Sequence, residues 1–197
     1  MDFAYGAEDE AFRQELTDWL DEHLPPFLAE WSDDDGATDA GSSNSGVLSQ
    51  MERRRAWQRE LAAGRWAAIG WPTEWGGRDA TVTHNVIYAE TTARYRTPGI
   101  YNPNGLWQIG PMIIRYGTDE QKQRWIPNIR DADDHWCQGF SEPEAGSDLA
   151  NLRTLAVRDG DHYVLDGQKT WCSSAHLARW GLFLVRTDPD ALAEGRK

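Results

Sequence analysis

At 197 residues with 40% hydrophobic content, the chain is long enough to hold one domain or two small ones, yet no unbroken apolar run approaches the roughly 18 residues that cross a bilayer. A net charge of −12 disfavours a surface for polyanions, so nucleic acid is not an expected partner, although backbone amides could still bind a local phosphate. Two cysteines, Cys137 and Cys172, are too few for a secreted scaffold or a metal site and are expected as reduced, structural thiols. Met1 to Glu10 has neither the basic head nor the apolar core of a signal peptide, which predicts an intracellular, cytoplasmic protein without a membrane span.

Apolar residues Phe12, Leu16, Trp19, Leu20 and Leu24 form one stripe of an amphipathic helix over Ala7–Leu24, expected to stop at Pro25 and Pro26. Glu30 to Gly46 is acidic, then rich in Gly, Ser, Asn and Thr, and reads as an exposed loop. A second helix is predicted over Leu48–Ala63, with Gly64 near its C-terminal end. The segment after it brings Trp66, Trp71 and Trp75 close together and reads as a packed connector. A third helix is expected over Thr81–Arg94, with Val82, Val86, Ala89 and Ala93 on one face. Leu106, Ile109, Ile113 and Tyr116 keep helical spacing around Gly110 and Pro111, which predicts two helical pieces or one kinked helix. Thr118 opens a capping box with Gln121, and the helix that follows is expected to end at Ile126, before Pro127.

After Asp134 the period changes to that of strands. His135–Ser141, Arg153–Arg158, His162–Leu165, Lys169–Cys172 and Gly181–Thr187 alternate or carry β-branched and aromatic residues, with turn signals at Asp159–Gly160 and Asp166–Gly167. The expected fold class is α+β by segregation. An all-helical domain over 1–134 would be followed by an antiparallel β-barrel or sandwich-like domain over 135–197, incomplete at its C-terminal end. The 11 tryptophans are expected mainly as core or interface material.

Two segments carry the chemistry. Gln138 to Asp148 reads Gln-Gly-Phe-Ser-Glu-Pro-Glu-Ala-Gly-Ser-Asp, a strand end running into a turn that gathers backbone amides and side-chain oxygens. Gly167 to Ser174 reads Gly-Gln-Lys-Thr-Trp-Cys-Ser-Ser, an aromatic plate between short polar groups. Together they suit a flat heteroaromatic cofactor with polar edges. Gly146 and Ser147 taken alone favour a cap or turn with no ligand, and only Glu142-Pro143 before them and Gly167 to Trp171 after them turn the reading toward a ligand; Glu142 and Glu144 beside proline read as turn or surface charges. His84, His135, His162 and His176 lack metal-ligand spacing, so no metal is expected.

Both segments resemble the flavin-binding signatures of the acyl-CoA dehydrogenase family. That resemblance implies FAD as cofactor, with Gln138, Gly139, Phe140 and Ser141 along the flavin, Gly146 and Ser147 near its edge, Trp171 stacked on the ring, and Cys172 and Ser173 beside it. It implies that Ser147 also meets the pantetheine chain of an acyl-CoA substrate. Ser141 and Ser173 stand where the family often has threonine, which keeps the hydroxyl and drops a methyl that fixes its rotamer. Gln138 stands where an aromatic is frequent.

The implied reaction is α,β-dehydrogenation of an acyl-CoA thioester, with a hydride passing to flavin N5 and electron-transfer flavoprotein as acceptor. The resemblance spans only the first half of the family's length, so no catalytic residue is assigned and the base is expected beyond Lys197. A homo- or hetero-oligomer is expected. Two rival readings stay open: a noncatalytic flavin-holding subunit of a hetero-oligomer, and a flavin monooxygenase or oxidase on the same fold. By analogy Asn104, Trp107 and Gln108 could face the acyl end or simply pack their helix.

Overall fold

The computed structural model describes residues 5–31, 44–188 and 190. The chain forms two compact units, residues 1–133 and 134–197. Within the first, helices α1 (Ala7–Glu30), α2 (Asn44–Ala63), α3 (Val82–Tyr95), α4 (Gly110–Tyr116) and α5 (Asp119–Arg130) account for most of the described residues. Apart from its ends, the stretch read as an exposed acidic loop over Glu30–Gly46 lies outside the described residues.

Helix α1 does not stop at its prolines. It continues to Glu30 with Pro25 and Pro26 inside, and its buried stripe runs Phe12, Leu16, Leu20, Leu24, Phe27. Both prolines sit on the exposed face, where water can take the carbonyls that lose their amide donors. Phe27 meanwhile packs on the fully buried Trp57, with ring centroids 4.9 Å apart. Burying such a ring is worth about 1.5–3 kcal/mol, comparable to the penalty of a helical proline. Pro127 likewise lies inside α5, flanked by the fully buried Ile126 and Ile129. In both places tertiary packing overrides a local stop signal.

The predicted face of α3 points outward. Val82 is 84% exposed and Val86 46%, whereas Ile87 and Thr91 are buried. Alanine and valine spacing alone could not choose between two neighbouring stripes. The buried stripe is selected by α1, where Phe12 stacks on His84 at 4.3 Å between ring centroids. Gly64 also has a role other than a left-handed cap. A Cβ there would fall 2.6 Å from the Trp19 indole nitrogen, and the left-handed residue that turns the chain is Arg65, at φ 61°.

The connector is packed as expected, with Trp66 and Trp71 buried, and the Trp71 indole donates to the Leu106 carbonyl at 3.0 Å. The kinked stretch resolves into a π-helical turn, Gly105–Ile109, leading directly into α4, with Pro111 in the first turn where its missing amide is least felt. Leu106, Ile109 and Ile113 are buried as the spacing required, while Tyr116 is exposed. The capping box at Thr118 forms with both of its hydrogen bonds.

One buried amide ties this unit together. The Gln58 side chain donates to the carbonyls of Ile129 at 2.9 Å and Arg130 at 3.2 Å, and accepts from the Asn102 amide at 2.9 Å. It therefore joins α2 to the end of α5, whose last carbonyls have no partner inside the helix.

The second unit is built from strands β1 (Trp136–Gly139), β2 (Leu155–Asp159), β3 (His162–Asp166) and β4 (Trp180–Phe183). β2 and β3 form the expected antiparallel hairpin, with Asp159 paired to His162 and Gly160 at φ 64° in the tight loop. The expectation of antiparallel pairing does not extend to β1 and β4, which run parallel with Trp136 opposite Trp180 and Gly139 opposite Phe183. A Cβ on Gly139 or Gly181 would each meet the Phe183 ring at 2.4 Å, so two glycines make room for one phenyl group. Asp166–Gly167 does not turn a hairpin. Gly167 instead adopts φ 151°, pressed against Thr154.

Candidate functional site

The two sequence-predicted segments meet in the second unit. Strand β1 delivers Gln138 and Gly139, and Phe140 and Ser141 follow it half-buried. Past them, Glu142 and Ala145 exchange two backbone hydrogen bonds around Pro143 and Glu144, closing a turn. The chain then exposes Gly146 and Ser147.

Lys169–Cys172 is not a strand, contrary to expectation. The Thr170 amide is engaged by the Ser141 carbonyl at 2.9 Å, which fastens the second segment to the first. The next residue, Trp171, takes a left-handed backbone at φ 58°, incompatible with an extended strand. Its ring is 90% exposed, against a chain whose Trp57, Trp66, Trp71 and Trp136 are buried. Cys172 is half-buried, and Ser173 is exposed. A non-glycine residue held left-handed while presenting a large bare indole is an arrangement that local energetics oppose and a stacking ligand would use.

Sequence reasoning missed the residues that hold this arrangement. Glu142 is not a surface charge. It is buried, and its carboxylate accepts from the Arg153 amide at 2.6 Å, the Thr154 amide at 2.9 Å and the Lys169 ammonium at 2.8 Å. Lys169 also donates to the Phe140 carbonyl at 3.0 Å, and each side chain of the pair is only 7% exposed. Burial pushes the Glu142 carboxyl upward, but hydrogen bonds from Lys169, Thr154 and Arg153 outweigh it and hold the group down to about 2. The sequence offers only a weak signal for the pair: a carboxylate directly after Ser141 and a cation two residues before Trp171, with Glu144, Asp148 and Asp166 close by to obscure it. Glu144, by contrast, is the surface charge expected, paired with Arg153 at 3.0 Å.

The site offers several unused groups. Among the described residues the hydroxyls of Ser141, Ser147 and Ser173 have no hydrogen-bond partner. A Cβ on Gly146 would meet nothing within 4 Å, so chain packing does not call for the glycine, and the space before it is open. Thr170 Oγ1 is buried without an acceptor or donor. These groups can supply hydrogen bonds and a stacking face to a planar, polar-edged molecule. The structure fastens Lys169 and Thr170 to Phe140, Ser141 and Glu142, which brings the two segments together there, and leaves Gly146 and Ser147 exposed on the turn that follows Glu142.

Both cysteines are free thiols. Burial first, and then nearby Cys172, push the Cys137 thiol upward, so it is a poor nucleophile. Among the described residues no cluster of three metal-ligating side chains occurs, and no helix is long and apolar enough to cross a membrane.

Two family models match the chain. The acyl-CoA dehydrogenase N-terminal domain covers residues 6–133, and the acyl-CoA dehydrogenase middle domain covers 137–196. The acyl-CoA dehydrogenase IpdE1 of Mycobacterium tuberculosis is 41% identical over 179 residues, covering 91% of this chain and 45% of the relative. A crystal structure of the ChsE4-ChsE5 complex from Mycobacterium tuberculosis superposes with a TM-score of 0.72 at 35% identity, over 96% of this chain and 45% of that one. A glutaryl-CoA dehydrogenase of Mycobacterium smegmatis solved in complex with FADH2 shares the fold at a TM-score of 0.63 and 21% identity, over 93% of this chain and 44% of that one. The chain spans about half the length of the curated relatives it matches.

Proposed function

The chain belongs to the acyl-CoA dehydrogenase family, and from that premise we propose that it forms the flavin-holding part of an FAD-dependent acyl-CoA dehydrogenase. The reaction is α,β-dehydrogenation of an acyl-CoA thioester. One observation carries the reading: Lys169 and Thr170 lock the second segment onto the first, and the lock ends in a left-handed, bare Trp171. The residues fit an isoalloxazine, with an indole for its face, the free hydroxyls of Ser141 and Ser173 for its polar edge, and open space before Gly146. Bound there, FAD supplies the acceptor for the substrate's β hydride.

The chain's own residues position and shield. Trp171 would cover one face of the bound ring and exclude water from it. Gln138, Gly139 and Phe140 would line the approach to the flavin, Cys172 would lie beside it, and Ser147 would also meet the pantetheine chain of acyl-CoA. Glu142 and Lys169 keep the two segments in register. Glu142 is no candidate for the proton-abstracting base, because a carboxylate held near 2 and already accepting three hydrogen bonds has little basicity at neutral pH. Electrons leave to electron-transfer flavoprotein in the cytoplasm.

A second reading, a flavin-holding subunit whose partner brings the base, is favoured by the likeness to the ChsE4-ChsE5 complex, and a hetero-oligomer follows from it. A visible spectrum of the purified protein, incubated with FAD, desalted and then mixed anaerobically with a panel of acyl-CoA thioesters, separates these cases. A retained band that bleaches supports the dehydrogenase. A retained band that persists supports the holding subunit, and loss of the band at desalting counts against the assigned stacking site.

A further inference from the structure

The chain's two thiols both lie in the second unit, on segments that the fold lays side by side. The segment that carries Cys172 is pinned to the β1 segment at both ends. At one end the Thr170 amide donates to the Ser141 carbonyl at 2.9 Å, and at the other the Arg179 amide donates to the His135 carbonyl at 2.9 Å. The chain from Thr170 to Arg179 therefore returns along β1, and Cys137 on the strand and Cys172 on the returning segment both fall between the two pins. The Cys172 thiol turns toward the Thr170 carbonyl, 3.7 Å away, on the side of the first pin. β4 sets Gly181 opposite Cys137, and a Cβ there would stand 3.2 Å from the Cys137 sulfur, so the glycine leaves that thiol room to turn. The nearness is also felt electrostatically, since Cys172 is, after burial, the second cause that raises the Cys137 thiol.

The two thiols differ in what they can reach and how far they can move. Cys137 is 5% exposed, in a strand whose register is fixed by β4. Cys172 is half-buried in a run of turns, between Trp171 at φ 58° and Ser174 at φ 59°, two non-glycine residues in the left-handed region. The backbone around it is held by local bonds, from the Ser173 amide to the Trp171 carbonyl at 2.9 Å and from the Ala175 amide to the Cys172 carbonyl at 3.1 Å. Cys172 is thus the side that can adjust to the Cα separation of roughly 4.4–6.8 Å that a disulfide requires.

We propose that Cys137 and Cys172 form a reversible dithiol–disulfide pair, oxidised by a low-molecular-weight disulfide, whose closure locks the Trp171 segment onto β1. The Cys172 thiolate attacks one sulfur of the small disulfide, which forms a mixed disulfide and expels one small thiolate. Cys137, its proton lost to water, then attacks the Cys172 sulfur, which forms the internal bond and expels the second small thiolate. The chain gives up two protons and two electrons, and the small disulfide leaves as two thiols. The raised Cys137 thiol slows the second step, but that step is intramolecular and gains from proximity what it loses in thiolate. The assignment does not rest on the flavin reading.

Incubating the purified protein with oxidised glutathione at mildly alkaline pH, followed by iodoacetamide trapping and mass analysis, tests it. The parent loses the mass of two hydrogens and both alkylatable thiols, peptide mapping joins Cys137 to Cys172 within one chain, and dithiothreitol restores both thiols. Cys137→Ala stops at a glutathione adduct on Cys172, and Cys172→Ser leaves Cys137 reduced. Amide exchange at Ser173 and Ala175 slows by about tenfold or more in the oxidised parent. The parent's own products decide the outcome, and unchanged far-UV circular dichroism shows that the variants fold. Thiols that stay free, a glutathione adduct that persists in the parent, cross-links only between chains, or a bond that forms only in denaturant would each overturn the proposal.

Discussion

Among the described residues, each unit contains a buried polar side chain with three hydrogen bonds to segments distant in sequence, and the two use opposite chemistry. In the helical unit the neutral Gln58 amide satisfies two carbonyls and one amide across α2, α5 and Asn102. In the β unit the charged Glu142 carboxylate gathers two amides and the Lys169 ammonium, and Lys169 returns to Phe140. A neutral tie is indifferent to pH and loses little when strained. A buried ion pair is rigid, since either charge alone is poorly tolerated, and it is titratable. The rigid, titratable tie stands at the candidate cofactor site, and the permanent one stands in the scaffold.

Removing one charge should break that contrast most visibly. Lys169→Met leaves Glu142 ionised and buried, and we expect about 3–5 kcal/mol of lost stability in the β unit. Adding Glu142→Gln should return part of it, which chemical denaturation of the single and double variants would measure. If Lys169→Met melts like the parent, the pair is not a tie.

Gln58→Leu should cost about 1–3 kcal/mol, because the end of α5 and the Asn102 amide lose buried partners. Amide hydrogen exchange localises the loss: faster exchange belongs near Asn102 and in α5, with the hairpin of β2 and β3 unaffected.

Acid sharpens the comparison further. The Glu142 carboxyl is held below its ordinary value of 4.5, down to about 2 in the folded chain. The stability it contributes is therefore fully present above about pH 4.5 and is lost as pH falls toward 2. Exchange protection around Thr154 and Thr170 should fall through that window in the parent and not in Glu142→Gln. The Gln58 tie supplies no matching titration.

Trp171→Ala should have the smallest effect on folding, within about 0.5 kcal/mol, because the ring is bare. Its effect on FAD retention after desalting should exceed that of Ser147→Ala, which is expected to raise the Michaelis constant for acyl-CoA in the full-length protein instead. Unchanged flavin content in Trp171→Ala would remove the stacking role.

Much of this was readable in the sequence, and the failures have physical causes. Phe12, Leu16, Leu20 and Leu24 marked α1, and Thr118 with Gln121 marked the start of α5, because side-chain periodicity and capping are local. Pro25, Pro26 and Pro127 were read as stops because a proline's lost hydrogen bond is local too, whereas the burial of Phe27 and Ile129 that offsets it is not. The spacing groups Val82 and Val86 on one face of α3 but does not say which face is buried: that choice belongs to the packing of Phe12 on His84, far apart in sequence. Trp171 could be picked out as a plate by its polar neighbours, but Glu142 could not be told from a surface carboxylate without Lys169 beside it. A buried ion pair is a property of two distant positions at once.

The parallel pairing of β1 with β4 also bears on the order of assembly. The β2–β3 hairpin closes across a two-residue loop and can form within about 1–10 μs. Joining Trp136 to Trp180 requires closing the whole intervening chain, a non-local contact that comes late. Phe140 and Ser141 follow the first of these strands, and Lys169 to Ser173 precede the second. The cradle for the aromatic plate is therefore completed only when that long closure succeeds, and a ligand added to a refolding chain would be captured in the slow phase, not in the fast one.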